Sequence, residues 1–340
     1  MKPVAILGAA QTRHAATRDD VNYMELTFEV VDELLRKTGY THERIDTVIS
    51  ASSDFWDGRT ISDIAIQDSA GAALKSASKV SMDGAFALVY ALARIACGKY
   101  RTCLVVAHGK ASEGQPRAIA NAAFDPLFQR ATGVDDHAAL GLQARRFLER
   151  RGLGPEVLAA AASKSAAAAA GNPHAQRRTP GRDLVADPLH EDEIAPDSDG
   201  ACALLLADAD LVEGEAVWLD GFGFATDAHG LGDRDLGEPG LLADVAAAAY
   251  RRAGIRPHDA DVVELHDASS AQTLLWSEGL GVSPDVDVNP SGGAMGAQPG
   301  FATGLVRVAE VFERVRGTGI AHGMTGFVGQ AHCVWVLGRR

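Results

Sequence analysis

Apolar and polar residues along the chain alternate between short runs of strand length and longer segments with helical spacing. The chain opens with the apolar run 4–8, and further uninterrupted runs follow at 102–107, 200–207 and 332–337. Strands that are apolar on both sides belong to sheets covered on both faces, as in parallel or mixed α/β sheets. The pattern therefore predicts an α/β protein whose sheets are buried between layers of helices.

Two parts of the sequence repeat the same pattern. Residues 35–40 precede the strand-like run 45–49, and residues 250–255 precede the similar run 260–264. In each copy a helix ends at a glycine, and a polar turn and an aspartate lead into a β-branched strand. A repeat of this length predicts two similar α/β halves within one chain.

Each copy continues, after a glycine-containing turn, into a helix, predicted at 86–97 in the first copy and at 305–316 in the second. The apolar strands 102–107 and 332–337 then follow these helices. We expect these two strands to close the repeat in its two copies.

The two halves differ by a helical, Ala-rich insert. We predict a first half at 1–110 and 189–212, the insert at 111–188, and a second half at 213–340. An insert of this kind often forms a lid or binding lobe over a site. The alternative is that the insert is a solvated helical segment on the surface without a role at a site.

Composition narrows the class of protein. A chain of 340 residues that is 46% hydrophobic can bury a large core, and its net charge of −13 without a basic stripe argues against nucleic acid as a partner. No apolar run is long enough to span a membrane, and the chain opens with a strand rather than a signal sequence. We expect a cytoplasmic protein that does not associate with membranes.

Cysteines and arginines suggest no metal or phosphate site. The four cysteines lack a metal-binding spacing such as C-x-x-C and lie in apolar runs, which predicts four structural core residues: Cys97, Cys103, Cys202 and Cys333. Four arginines of the insert are candidates for binding an anionic ligand, but a solvated helix face is the favoured interpretation: Arg117, Arg130, Arg145 and Arg146.

Several short motifs occur in a characteristic order. They are Asn172-Pro173-His174-Ala175, Asp187-Pro188-Leu189, Asp199-Gly200-Ala201-Cys202-Ala203, His266-Asp267-Ala268-Ser269, Asn289-Pro290-Ser291-Gly292-Gly293 and the glycine-rich stretch 296–304. Together they resemble the signatures of the sterol-carrier-protein type of thiolase over nearly the whole chain. The resemblance implies a five-layer αβαβα fold built from two duplicated halves, with the helical insert as its loop domain.

The resemblance also implies catalytic positions that this chain has changed. The acyl-accepting cysteine of thiolases opens a central helix, and Ser81 stands at the matching position. Gln298 replaces the histidine that activates the thiol, and the loop that carries the second cysteine reads Gly323-Met324-Thr325-Gly326 here. Glutamine donates a hydrogen bond but accepts no proton near pH 7, so covalent acyl transfer through Ser81 is disfavoured.

Three residues remain as candidates for chemistry. His266 is the one familiar catalytic group that is retained, as an oxyanion donor or a general acid–base, with a buried structural histidine as the alternative. Asp83 is either a helix N-cap or a carboxylate base, and Asn289 is a candidate support for an oxyanion site.

Four further histidines are weaker candidates. His14 and His42 are expected in polar turns, His108 at a crowded strand end with a structural role favoured, and His322 next to the C-terminal loop.

Three functions stay open. The first is a C–C bond-cleaving or bond-forming enzyme that acts on acyl-CoA thioesters without an acyl-cysteine. It resembles the thiolase-like retro-aldolases of steroid side-chain degradation, which have also lost the cysteine. The second is a non-catalytic subunit that assembles with a zinc-ribbon and OB-fold acyl-CoA-binding protein or with an active paralogue. The third is an acetyl-CoA acetyltransferase-type acyltransferase whose cysteine comes from elsewhere. In each case a CoA thioester is the expected ligand, no covalently bound cofactor is expected, and the family architecture implies a homodimer.

Overall fold

The computed structural model describes residues 2–176, 181–283 and 285–340, so that residues 177–180 of the predicted insert lie outside the described residues. The strands found there are β1 (Val4–Gln11), β2 (Thr47–Ala51), β3 (Ser76–Val80), β4 (Thr102–Lys110), β5 (Leu184–Ala186), β6 (Leu189–His190), β7 (Asp199–Asp208), β8 (Val217–Thr226), β9 (Val262–Glu264), β10 (Asp287–Val288), β11 (Thr318–Thr325) and β12 (Ala331–Arg339).

The α-helices of this described part are α1 (Tyr23–Thr38), α2 (Asp54–Asp57), α3 (Gly84–Ala96), α4 (Pro116–Ala123), α5 (Asp136–Arg151), α6 (Glu156–Gly171), α7 (Leu241–Ala253), α8 (Ser270–Gly279), α9 (Gly293–Gly296) and α10 (Thr303–Arg314). None of these helices combines the length and the apolarity needed to cross a membrane.

Two groups of five strands share one arrangement. The strand order is β3-β2-β4-β7-β1 in the first group and β10-β9-β11-β12-β8 in the second. In each group the first three strands are parallel and the last two are antiparallel to their neighbours. The groups meet where β1 pairs with β8 over two positions, Ala5 with Trp218 and Ile6 with Val217. This topology confirms the predicted duplication.

The structure corrects the expected equivalence of the last strands. β4 corresponds to β11, part of which was predicted to be a small-residue loop, whereas β12 corresponds to β7. Glycines weaken the strand pattern of β11, but they are needed because a helix packs directly on it. A Cβ added at Gly319 would overlap the Val311 side chain of α10.

Alternate residues of the central strands face different helices. In β7, Ala203 and Leu205 pack in the apolar cluster that contains α1, while Leu204 and Leu206 pack in the cluster that contains α3 and α10. α3 and α10 lie between the inner faces of the two halves, and α1 and α7 cover the outer faces. The result is the five-layer αβαβα fold that the sequence predicts.

The two central helices meet closely at their first turns. Gly304 of α10 and Gly323 of β11 adjoin the Asp83 side chain, and a Cβ added at Gly304 would overlap Asp83 Oδ1 and lie 3.0 Å from Gly323 Cα. From the second half, the Trp335 indole donates a hydrogen bond of 3.0 Å to the carbonyl oxygen of Ala85 in α3. The first turn of α3 is therefore held by residues of both halves.

The predicted insert contains α4, α5, α6 and the strand β5. Phe124, Leu140 and Phe147 of this segment share an apolar cluster with residues of the second half, including Leu275 and Trp276. The insert is thus anchored on one half of the core.

Substituting Gly304→Ala tests the close approach of the central helices. Because the added methyl group has no space beside Asp83, we expect a loss of about 1–3 kcal/mol in the free energy of unfolding, measured with urea. Gly171→Ala is the matched control, since Gly171 also belongs to a helix and an added Cβ there meets no atom within 4 Å. Equal stability of the two variants would contradict the packing described here.

Candidate active site

A cavity of about 480 Å³ is lined by residues of both halves and of the insert. The first half contributes Ser81 and Asp83, the insert contributes His137, and the second half contributes His266 and Gln298. The structure therefore brings several of the residues singled out in the sequence to the wall of one partly open cavity.

Asp83 is the N-cap residue of α3 and also contacts α10. Its Oδ1 accepts a hydrogen bond of 2.8 Å from the Ala85 amide, and its Oδ2 accepts one of 2.8 Å from the Gly304 amide. The residue is 2% exposed. The carboxylate thus lies at the amino ends of two helices, where the helix dipoles stabilise negative charge.

His266 follows β9 and lies next to this carboxylate. Its Nδ1 is 3.5 Å from Asp83 Oδ2 and 3.4 Å from the Met324 backbone nitrogen. Within the described residues, no protein group forms a hydrogen bond with Nε2. The Met324 N–H donates to Nδ1, so the neutral ring carries its proton on Nε2; with the proton moved to Nδ1, toward Asp83, the Nε2 lone pair would be free for a ligand in the cavity.

Ser81 lines the cavity but lacks an activating group. The serine is exposed and precedes the N-cap residue by two positions. Its hydroxyl has no hydrogen-bond partner in the part of the chain that the structure describes. A serine hydroxyl needs an adjacent base to attack a carbonyl carbon, so this arrangement does not activate Ser81.

No cysteine of the described residues lines the cavity. Cys103, Cys202 and Cys333 are fully buried, and burial raises the pKa of each thiol above its ordinary value. Cys333 lies near α3, but its thiol donates to the carbonyl oxygen of Ala85 at 3.5 Å. The expectation that Cys97 is a core residue is wrong, because this cysteine is exposed at the far end of α3.

Gln298 and Gly323 occupy the other positions where thiolase catalytic groups were expected. The Gln298 side chain lines the cavity, and its buried Oε1 has no hydrogen-bond partner among the described residues. The backbone of Gln298 is held by hydrogen bonds with Ser198, 3.1 Å from N to Oγ and 3.2 Å from O to N. Gly323 lies within β11 and provides the space that Asp83 occupies.

Asn289 does not line the cavity. Its Oδ1 accepts a hydrogen bond of 2.7 Å from the Leu265 amide, and its Nδ2 donates one of 2.8 Å to Asp267 Oδ2. Burial raises the pKa of Asp267 to about 7, while donors from Thr273 and Ala294 favour its charged form. Asn289 and Asp267 together fix the turn that carries His266.

His108 is a cavity residue for which the sequence favoured a structural role. It lies near the end of β4, is 2% exposed, and its Nε2 is 3.7 Å from Asp57 Oδ1. Asp57 also lines the cavity. A polar residue at the carboxyl end of an apolar parallel strand is the signal that points to such a site, because ligands of α/β proteins bind at this edge of the sheet.

The remaining candidate histidines do not reach the cavity. His14 was expected in a polar turn but is buried, with its Nε2 3.1 Å from Gln11 Oε1, and burial lowers its pKa to about 3. His42 is exposed. His322 is fully buried, and its Nε2 lies 2.9 Å from His332 Nδ1.

Two of the sequence motifs act as buried anchors. Asn172 donates from Nδ2 to the carbonyl oxygen of Ser291 at 3.2 Å and to Glu310 Oε1 at 3.0 Å, linking the insert to the second half. Asp199 accepts a hydrogen bond of 2.7 Å from the Lys110 ammonium group. These motifs shape the site without lining its reactive part.

The four arginines of the insert are engaged elsewhere, and none lines the cavity. Their partners are Asp135 for Arg117, the Ala122 carbonyl for Arg130, Asp187 for Arg145 and Asp235 for Arg146. Among residues 2–176, 181–283 and 285–340, no three His, Cys, Asp or Glu side chains form a group that could hold a metal ion.

Comparisons with known proteins agree with this architecture. A family model described as thiolase C-terminal domain-like matches residues 228–285. An acetyl-CoA acetyltransferase of Methanothermobacter thermautotrophicus is 26% identical over 93% of this chain and 92% of its own length. Sterol carrier protein 2 of Oryctolagus cuniculus is 32% identical over 37% of this chain and 28% of its own length.

Among solved structures, the fold is similar to that of an Ltp2-ChsH2(DUF35) aldolase. The TM-score is 0.81 at 16% identity, with 99% of this chain and 98% of the other chain covered. The comparisons therefore confirm the resemblance to the thiolase superfamily, and to its sterol-carrier-protein type, that the sequence motifs indicate.

Proposed function

We propose that this protein binds acyl-CoA thioesters and catalyses retro-aldol cleavage, or the reverse aldol addition, without a covalent acyl-enzyme. One observation carries the proposal. His266, with Nδ1 3.5 Å from Asp83, faces a cavity that contains no cysteine of the described residues. The site thus has a base suited to a hydroxyl group and no sulfur nucleophile to accept an acyl group.

The reaction requires a 3-hydroxyacyl-CoA. In the His266 tautomer with its proton on Nδ1, beside Asp83, Nε2 accepts the proton of the β-hydroxyl group, and the oxygen electrons form a C=O bond as the Cα–Cβ bond breaks. The electron pair passes to the thioester as an enolate, which is then protonated at the α-carbon. The products are an aldehyde or ketone and a shortened CoA ester, so no atom is gained or lost.

Two protein groups support charge changes during this step. Asp83 stabilises the His266 imidazolium that forms, and its own charge is stabilised by the amides of Ala85 and Gly304. The Gln298 side chain lies in the cavity as a hydrogen-bond donor for the thioester oxygen. Such donors commonly contribute several kcal/mol, about 3–4 for one oxyanion contact.

The structural neighbour named an aldolase supports this choice of reaction, as does the loss of activation at Ser81. The acetyltransferase name of the archaeal relative supports the acyl-CoA class of substrate. A transferase of that kind needs an acyl-accepting group, and neither Ser81 nor a buried cysteine meets this need.

His266→Ala tests the base. We expect turnover of 3-hydroxybutyryl-CoA or 3-hydroxy-3-methylbutyryl-CoA to fall by about 100-fold or more, because the hydroxyl proton loses its acceptor. The readout is the formation of acetyl-CoA with acetaldehyde or acetone, followed by mass spectrometry. Asp83→Asn removes the charge with little change in shape and is expected to lower kcat more than it raises KM. His190→Ala, outside the cavity, is the control; unchanged turnover in His266→Ala would remove His266 from the mechanism.

Ser81→Ala separates the proposed lyase from an acyltransferase. A retro-aldolase needs no acylated side chain, so the variant should keep nearly full turnover with the same two substrates. Intact-protein mass spectrometry after mixing wild-type protein with acetyl-CoA should show no mass increase. A large loss of turnover together with an acetylated Ser81 peptide would contradict the proposal.

A partner chain is a second part of the proposal. Of the described lysines and arginines, only Lys110 lines the cavity. Its ammonium group already donates hydrogen bonds to Arg18 O, Ser112 Oγ and Asp199 Oδ2. The CoA phosphates therefore lack a free cationic side chain there. A small zinc-ribbon and OB-fold acyl-CoA-binding protein, or an active thiolase paralogue, would supply one, as would the outer surface of the chain itself.

The first-half sheet ends at an edge that favours dimer formation. β3 is the last strand of that sheet and is partly exposed, and Ile64 and Leu74 lie near it with exposed side chains. Exposed strand edges and apolar patches are usually covered by another chain. We therefore propose a homodimer that pairs the first halves.

Light scattering after size exclusion should give about twice the chain mass of 35.6 kDa. Leu74→Lys is expected to shift the protein toward monomer, because it places a charge in the covered edge. Leu127→Lys is the matched control, since Leu127 is similarly exposed but belongs to the insert. A wild-type monomer at micromolar concentration would contradict the dimer.

A further inference from the structure

A second histidine–carboxylate pair faces the same cavity as His266 and Asp83. His108 Nε2 lies 3.7 Å from Asp57 Oδ1, and both residues line the cavity. The two histidines come from different halves, because His108 lies in β4 and His266 follows β9. The cavity is therefore lined by two imidazole rings, each beside a carboxylate.

The polar atoms of the second pair are not used by the protein. His108 is 2% exposed, and neither of its ring nitrogens has a hydrogen-bond partner among the described residues. Asp57 Oδ2 is also buried without such a partner. A buried polar atom without a partner costs about 1–3 kcal/mol, so a role in packing alone does not explain these side chains.

The fold holds the His108 ring in place through contacts that leave its nitrogens free. The ring packs against the Tyr23 ring, with centroids 5.3 Å apart. Asp57 ends the short helix α2, which Gly58 terminates in a left-handed conformation with φ of 63°. Ring and carboxylate are thus positioned by separate elements and meet at the cavity wall.

We propose that His108, with the Asp57 carboxylate beside it, transfers the proton at the α-carbon of the CoA ester. This inference rests on the proposed retro-aldol reaction and assigns its second proton transfer. In cleavage, the enolate electron pair forms a C–H bond with the proton of the His108 imidazolium, which leaves neutral His108. In the addition direction, neutral His108 removes the α-proton, and the C–H electrons form the enolate.

The two proton transfers of the proposed reaction explain why the cavity has two histidine–carboxylate pairs. His266 receives the hydroxyl proton, and His108 delivers a different proton to carbon. Each histidine then returns to its starting protonation state through solvent. The division predicts that enolate formation from a simple CoA ester depends on His108 and does not require His266.

The experiment measures deuterium incorporation into acetyl-CoA in D2O, alongside cleavage of 3-hydroxybutyryl-CoA. His108→Ala should lower the exchange rate and the cleavage rate by about 100-fold or more, and added imidazole should restore part of the exchange. Asp57→Asn should lower both rates less. His266→Ala should abolish cleavage and retain exchange.

His258→Ala is the matched control. Its Nε2 lies 3.7 Å from Asp259 Oδ1, the same separation as in the cavity pair, but the side chain is exposed. This variant should retain both rates. Thermal unfolding of each variant, followed by circular dichroism, distinguishes loss of a proton-transfer group from loss of folding, and imidazole rescue requires a folded site.

Each outcome decides between the two proposals. Exchange that depends on His108 in a protein that cleaves neither 3-hydroxyacyl-CoA supports His108 and contradicts the retro-aldol function. Wild-type protein without exchange, or His108→Ala with unchanged exchange, overturns the assignment of His108. Exchange lost in His266→Ala and retained in His108→Ala would assign both proton transfers to His266.

Discussion

The carboxylate of Asp83 is the interaction on which both the fold and the site depend. It accepts hydrogen bonds from the first turns of α3 and α10, one helix from each half, and it adjoins His266. This position exists only because Gly304 and Gly323 leave room for the side chain. A single carboxylate thus joins the duplicated halves and lies beside His266 in the site.

The same geometry explains how the frame of a thiolase can work without sulfur. In a thiolase, the amino end of the central helix stabilises a thiolate. Here that end stabilises a carboxylate, and the stabilised charge acts on a neighbouring histidine rather than on the substrate. In the proposed reaction, attack on the thioester carbon is replaced by proton transfer at oxygen and carbon, within a cavity that both halves line.

The sequence was sufficient for the features that depend on local pattern. The duplication, the central helices and the burial of the sheets follow from apolar runs and glycine turns, and both the capping role of Asp83 and the place of His266 follow from their positions beside these elements. Features that depend on tertiary packing could not be predicted from the sequence. Helices pack so closely on β11 that it requires glycines, and these glycines weaken the apolar pattern by which a strand is recognised in the sequence. Cys97 lies in an apolar run but on the outer side of its helix turn.

In the candidate site, too, local features could be predicted from the sequence and features that depend on tertiary packing could not. Whether Asn289 reaches the cavity or supports the turn behind it depends on the direction of its side chain, which spacing along the chain does not encode. His108 and Asp57 are 51 positions apart and meet only because β2 and β4 are neighbouring parallel strands. The sequence shows that both residues are present, but only the fold shows that they line the same cavity wall.

The shared capping of α3 and α10 also bears on how the duplicated halves fold. The α10 amide at Gly304 finds its partner in the first half, and the α3 carbonyl of Ala85 accepts the indole hydrogen of Trp335 from the second. Each central helix therefore has a hydrogen-bond partner in the other half at its first turn. We expect the two halves to unfold together as one cooperative unit.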